Sequence, residues 1–143
     1  MVVRVAEAEW QGDLTSGQGR IKLGSGAFAG SYSYPSRFES AEGTNPEELL
    51  GAAEAGCFSM ALSLGLTRIG HPPKSIHTTA RVHLERFVNG FAIDQIELET
   101  VTEVPGLDPG IFREQVALAK HGCPISKALS ATKIEIKATL NDE

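Results

Sequence analysis

Residues 2–10, Val-Val-Arg-Val-Ala-Glu-Ala-Glu-Trp, alternate between apolar and polar positions only in part. Val2, Ala6, Ala8 and Trp10 share one face, which Arg4 interrupts, while Val3 and Val5 lead into Glu7 and Glu9 on the other. This predicts an opening strand, ended by Gly12 and Asp13. Residues 14–35 are rich in Gly and Ser, with one short strand signal at 21–23, and read otherwise as turns and irregular strands. Tyr34-Pro35-Ser36-Arg37-Phe38 then reads as a short extended piece leading into a turn-rich stretch at 40–43, which would set the Arg37 guanidinium at the edge of a site.

The clearest local pattern follows. Thr44 or Asn45 can cap the free amides of a helix, Pro46 suits its first position, and Glu47 and Glu48 suit the positive end of its dipole. With Asn45 as the cap, Glu48 completes a capping-box spacing. Leu50, Ala53, Cys57, Ala61 and Leu64 then predict the buried side, until Gly70, Pro72 and Pro73 stop the helix. Gly51, Ala52, Ala53, Ala55 and Gly56 would let another backbone approach closely. Each interior glycine costs roughly 1 kcal/mol relative to alanine, so tight packing against this segment is expected to offset it.

Residues 76–103 predict a long hairpin, with Val82, Leu84 and Arg86 on one strand face and Asn89-Gly90 as the turn dipeptide. The return strand carries Phe91 and Ile93 in one phase and Ile96 and Leu98 in the other, which predicts a bulge at Asp94-Gln95. A Pro/Gly connection at 104–110 leads to a second helix with Phe112, Val116 and Ala119 on one face and Gly122 in a left-handed C-terminal position. Cys123-Pro124 reads as the cap and first residue of a shorter helix carrying Ile125 and Leu129. Ile134, Ile136 and Ala138, alternating with Glu135 and Lys137, close the chain with a strand. This order is not a regular strand-helix repeat, so the expectation is an α+β fold with a mostly antiparallel sheet and helices on one side.

Length and charge narrow the class. The 143 residues fit one domain, 1–143, long enough for its own core. With 41% hydrophobic and 22% charged residues, disorder is not indicated. A net charge of −5, with no Lys/Arg run, would repel a polyphosphate, so no nucleic-acid partner is expected. The first fifteen residues lack the apolar centre of a signal peptide, and no segment is read as a membrane span of about eighteen apolar residues. The expectation is a cytoplasmic protein without a membrane partner. In that compartment Cys57 and Cys123 are inert core thiols, metal ligands or redox groups rather than a disulfide scaffold.

Local chemistry favours Cys123, because a thiol at a helix N-terminus faces unpaired amides that stabilise its thiolate. Cys57 lies over two turns into its helix among apolar neighbours that raise a thiol pKa, so it reads as an inert core cysteine unless tertiary structure brings a cation. Arg37 is the attractive donor, with Glu47 able to fix its planar fork; an ordinary ion pair is the alternative. His71, His77, His83 and His121 form no metal-ligand grouping with the cysteines, and no metal or cofactor is expected. Gly17, Gly19, Gly24 and Gly26 lack the following helix of a dinucleotide site, and no Gly-x-Ser-x-Gly elbow occurs.

Several separated stretches nevertheless occur together in order: Trp10-x-Gly12-Asp13, Arg37-Phe38, the run from Gly43 through Pro46-Glu47-Glu48 to Ala53, Gly56-Cys57-Phe58-Ser59-Met60-Ala61-Leu62-Ser63, and Lys120-His121-Gly122-Cys123-Pro124-Ile125-Ser126-Lys127-Ala128-Leu129. This set resembles the osmotically inducible protein C family of hydroperoxide reductases over essentially the whole length. It is closer to that branch than to the organic-hydroperoxide-resistance sister group.

The resemblance implies a thiol-dependent peroxidase folded as an intertwined homodimer, with central helices through the dimer core and active sites near the interface. It implies Cys57 as the peroxidatic cysteine, Cys123 as the resolving cysteine, Arg37 as the activator of the thiolate and Glu47 as the residue that orients Arg37. Alkyl or lipid hydroperoxides are the implied substrates, with hydrogen peroxide as a further one, and a dithiol, a lipoylated protein being the candidate, as the reductant. The competing readings are a noncatalytic dimeric module that binds an apolar ligand and keeps its cysteines for packing, and a thiol hydrolase, for which no Cys-His pairing is evident.

Overall fold

A computed structural model describes residues 1–143 as six strands and four helices in an α+β arrangement. The chain divides into two compact units, Met1–Leu49 and Leu50–Glu143.

The first unit holds an antiparallel sheet in the order β1 (Ala6–Gln11), β2 (Gln18–Leu23), β3 (Ala29–Tyr32). Residues 2–5 stay outside β1, and Gly12 ends the strand with φ of 93°. Gly19 pairs with both Trp10 and Tyr32, whose ring centroids lie 5.3 Å apart; a Cβ at Gly19 would run into both rings. Residues 34–38 are helical, not extended. Ser33 and Ser36 form a reciprocal capping box around Pro35, and this starts the short helix α1 (Tyr34–Phe38).

Helix α2 (Pro46–Arg68) begins as expected, with the Asn45 carboxamide accepting from the Glu48 amide at 2.7 Å. Its buried stripe differs from the expected one. The stripe runs through Glu47, Gly51, Glu54, Phe58, Leu62 and Leu66, whereas Ala53 and Leu64 are exposed and Cys57 is half-buried. The helix is apolar on two sides, so spacing alone does not say which side the chain covers. By length and mean hydropathy, 1.5 over its most apolar window, α2 also reaches the range of a membrane span, against the sequence expectation. Leucine and alanine supply most of that hydropathy. Of the segment expected to pack closely, Gly51 does, since a Cβ there would lie 3.3 Å from Val82, whereas Ala52 and Ala53 are exposed and Gly56 faces open space.

The second unit builds its sheet in the order β4 (Ser75–Phe87), β5 (Gly90–Glu103), β6 (Lys133–Asn141). The hairpin turn is Val88-Asn89; Gly90, at φ of 119°, already pairs with Phe87. The bulge falls where the apolar phase slips: His83 pairs with Gln95 and Leu84 with Ile93, leaving Asp94 unpaired. β6 joins β5 in parallel, because α3 (Pro109–Gly122) and α4 (Pro124–Ala128) form the crossover between them. Gly122 is not left-handed; α3 ends instead on Cys123, which also caps α4. Phe58, Leu62 and Leu66 of α2 form the core with Ile96, Leu98, Val104, Leu107, Phe112, Ala119 and Ile134.

Phe58 and Leu62 are both fully buried, so truncation to alanine leaves cavities at the centre of this core. Urea denaturation is expected to show a loss of about 3–5 kcal/mol for Phe58→Ala and about 2–5 kcal/mol for Leu62→Ala. Costs below about 1 kcal/mol would mean that this stripe is not the buried face.

Candidate active site

In the first unit, α1 places Arg37 in its last turn and the start of α2 supplies Glu47. Arg37 Nη2 donates to Glu47 Oε1 at 2.7 Å, and Nε donates to Oε1 and Oε2 at 3.1 and 3.3 Å. This is a forked, charge-assisted pair. Glu47 is buried and the Arg37 side chain is 37% exposed, so the carboxylate is fixed while part of the guanidinium faces outward. The guanidinium carbon also lies 5.1 Å from the Phe38 ring centroid, which restrains the fork further. Ser36 Oγ donates to the Thr44 carbonyl at 2.8 Å, and Asn45 Nδ2 donates to the Ser36 carbonyl at 3.2 Å, tying α1 to the start of α2.

In the second unit, Cys57 and Cys123 meet. Their sulfurs are 2.6 Å apart, with the Cys123 thiol donating, and both cysteines are free. A disulfide has a sulfur separation of about 2.03–2.05 Å, so oxidation needs only a small shift. Cys123 is fully buried and Cys57 is half-buried, so Cys57 is the thiol that solvent reaches. The Ser126 amide donates to Cys123 Sγ at 3.4 Å, as expected for a cysteine at a helix start.

Burial pushes the Cys57 thiol up from its ordinary pKa. The bond from Cys123 adds to the rise, the Ile125 amide opposes it, and the charges of Cys123 and Glu54 raise it further. The surroundings of Cys57 in this unit on balance favour the thiol over the thiolate.

Glu54 did not emerge from the sequence reading. It is fully buried one turn before Cys57, its Oε1 accepts from Ser126 Oγ at 2.5 Å, and its Oε2 is buried without a partner. The available signal was that Glu54 is the only charged residue between Glu48 and Arg68. Of the histidines, His121 is exposed and His83 sits 3.3 Å from Glu97. No group of three or more His, Cys, Asp or Glu side chains is arranged to hold a metal ion.

The paired thiols and the forked ion pair gain context from known proteins. Residues 39–138 match the family described as OsmC-like protein, a span that contains Glu47, Cys57 and Cys123 and starts just after Arg37. Peroxiredoxin OsmC of Escherichia coli (strain K12) is 48% identical over 126 residues, covering 87% of this chain and 88% of that protein. The organic hydroperoxide resistance protein OhrB of Bacillus subtilis superposes with a TM-score of 0.69 at 25% identity, over 96% of this chain and 98% of that one. An OsmC-like protein of unknown function from Vibrio cholerae shares the fold with a TM-score of 0.77 at 15% identity, over 96% of this chain and 99% of its own. The chain belongs to the OsmC-like protein family, on its OsmC branch rather than the organic-hydroperoxide-resistance branch.

Proposed function

We propose that this chain is a cysteine-based peroxidase that reduces organic hydroperoxides, and hydrogen peroxide as a further substrate. The observation that carries this reading is the pair of free thiols 2.6 Å apart, one solvent-reachable and one buried. Cys57 is the peroxidatic residue. Its thiolate attacks one peroxide oxygen; the S–O bond forms as the O–O bond breaks, and the alcohol leaves after taking up a proton. The product is a Cys57 sulfenic acid. Cys123 then attacks that sulfur, the S–S bond forms as the S–O bond breaks, and water departs. An external dithiol, with a lipoylated protein as the candidate, restores both thiols by exchange.

Because burial holds the Cys57 thiol up, the first step needs an added positive charge. Arg37 supplies it in this reading, with Glu47 holding the guanidinium fork and the fork also stabilising charge that develops as the O–O bond breaks. Glu54 cannot replace Arg37, since its charge acts in the opposite direction.

The working form is an intertwined homodimer, with the whole chain, 1–143, acting as one peroxidase domain. Met60, Leu64 and Leu118 leave an apolar surface exposed along α2 and α3, of the kind a second copy or an alkyl peroxide would cover. The two unpaired cysteines fit a reducing compartment, and the proposed location is cytoplasmic.

Stopped-flow mixing of fully reduced protein with an alkyl hydroperoxide should consume one equivalent and yield the Cys57–Cys123 disulfide by mass spectrometry. Absence of any stoichiometric reaction would refute the peroxidase reading. Cys57→Ser should abolish consumption. Cys123→Ser should still react once, then accumulate sulfinic acid at Cys57 under excess peroxide.

The surroundings of Cys57 on balance raise its pKa, so without the Arg37 cation thiolate forms at higher pH. Arg37→Met should therefore slow peroxide reduction by about 10²-fold or more near neutral pH and move the rate profile toward alkaline pH. Thiolate ultraviolet absorbance during a pH titration checks the sign. An unchanged profile would remove Arg37 from the activation step.

A further inference from the structure

The stripe that α2 buries is Gly51, Phe58, Leu62 and Leu66, together with two carboxylates, Glu47 and Glu54. Glu47 has its guanidinium partner; Glu54 is fully buried with no cation bonded to it. Its Oε1 accepts from Ser126 Oγ at 2.5 Å, and its Oε2 has no partner. Packing alone gives no reason for this choice, since an apolar side chain would fill the site without an unpaired buried oxygen. Activation of Cys57 gives none either, because the Glu54 charge disfavours the thiolate.

The connectivity does give a reason. Glu54 lies one helical turn before Cys57, so both project from neighbouring positions on α2. Ser126 lies one turn after Cys123 and makes two bonds: its hydroxyl goes to Glu54 and its amide to Cys123 Sγ. One residue thus bridges the carboxylate beside the first cysteine to the sulfur of the second.

We propose that Glu54 and Ser126 form a clasp between α2 and α4 that positions Cys123 for attack on oxidised Cys57, making both of them positioning residues for disulfide formation. Its kinetic consequence rests on the peroxidase reading; its effect on the disulfide equilibrium does not. In the step concerned, the Cys123 thiol attacks the Cys57 sulfenic sulfur. The S–S bond forms, the S–O bond breaks, the thiol proton leaves with the hydroxyl as water, and the Cys57 sulfur gains the electrons that the Cys123 sulfur loses. A loose Cys123 prolongs the life of the sulfenic acid, and excess peroxide then drives it to sulfinic acid.

The test uses the full chain with Glu54→Leu, Glu54→Gln, Ser126→Ala and the Glu54→Leu/Ser126→Ala double variant, each checked for folding by circular dichroism. Rapid quench after one equivalent of an alkyl hydroperoxide measures sulfenic acid and disulfide separately. In Glu54→Leu and Ser126→Ala, disulfide formation should slow by about tenfold more than the first peroxide reaction, as expected when one charge-assisted bond is lost. Sulfinic acid should rise in step. Glu54→Gln keeps an acceptor for Ser126 Oγ and should recover most of the rate, and the double variant should be no slower than the worse single one.

Equilibration against dithiothreitol provides a readout independent of peroxide. The disulfide constant should fall about tenfold in Glu54→Leu and Ser126→Ala, equivalent to about 30 mV. If the wild type forms no sulfenic acid, the peroxidase reading fails, and the clasp is still judged by this equilibrium. If Glu54→Leu and Ser126→Ala, or Glu54→Gln and Ser126→Ala should Glu54→Leu not fold, match the wild type in both rate and equilibrium, the clasp is overturned.

Discussion

Holding two sulfurs 2.6 Å apart from separate helices is the demand on which the second unit depends. Cys57 belongs to a 23-residue helix and Cys123 to a single-residue junction between two others, so a shift of either helix by a fraction of a turn would separate them. The core meets that demand from both sides. Phe58, next to Cys57, and Ala119, one turn before Cys123, belong to the same buried cluster. Cys123 is itself the C-cap of α3 and the N-cap of α4, so its backbone is bonded in both directions, to Ala119 and to Lys127. The Cys123 sulfur therefore sits on backbone hydrogen-bonded on both sides.

Apposition and activation are divided. The unit that brings the sulfurs together also makes a thiolate unfavourable at Cys57, through burial, through Cys123 and through Glu54. The unit that carries the forked cation holds no thiol. On the proposed reading, neither half is reactive alone.

Much of this architecture was legible in the sequence because it rests on local chemistry. The Asn45-Pro46-Glu47-Glu48 start of α2, the Cys123-Pro124 start of α4 and the hairpin bulge at Asp94 all follow from caps, proline and a period of two. The misses share a different cause. The expected stripe on α2 meets the core only at Leu50 and Ala61, because that helix is apolar on two sides and only the partner elements choose between them. The helix at Arg37 escapes the sequence pattern because the capping box that starts α1 uses Ser33 and Ser36, a pair without the usual Glu or Gln in third place. The parallel pairing of β6 depends on where a two-helix crossover returns, which no local pattern encodes. The thiol pair itself could be assigned from the family resemblance but not from spacing.

Glu54 shows why a local rule can point away from the function. Taken by itself, a carboxylate in an apolar helix suggests a solvent-facing position, and sequence periodicity alone offers no reason to bury it. Its partner lies on another helix, and the benefit of burying it appears only when Ser126 is seen to touch both Glu54 and Cys123. The unfavourable features of the site, a buried acid and a thiol raised above its ordinary pKa, then have a common origin: both follow from crowding two sulfurs and their supports into the space between α2 and α4. On the proposed reading the cation for the thiolate is Arg37, whose forked pairing with Glu47 distinguishes it from an ordinary surface ion pair.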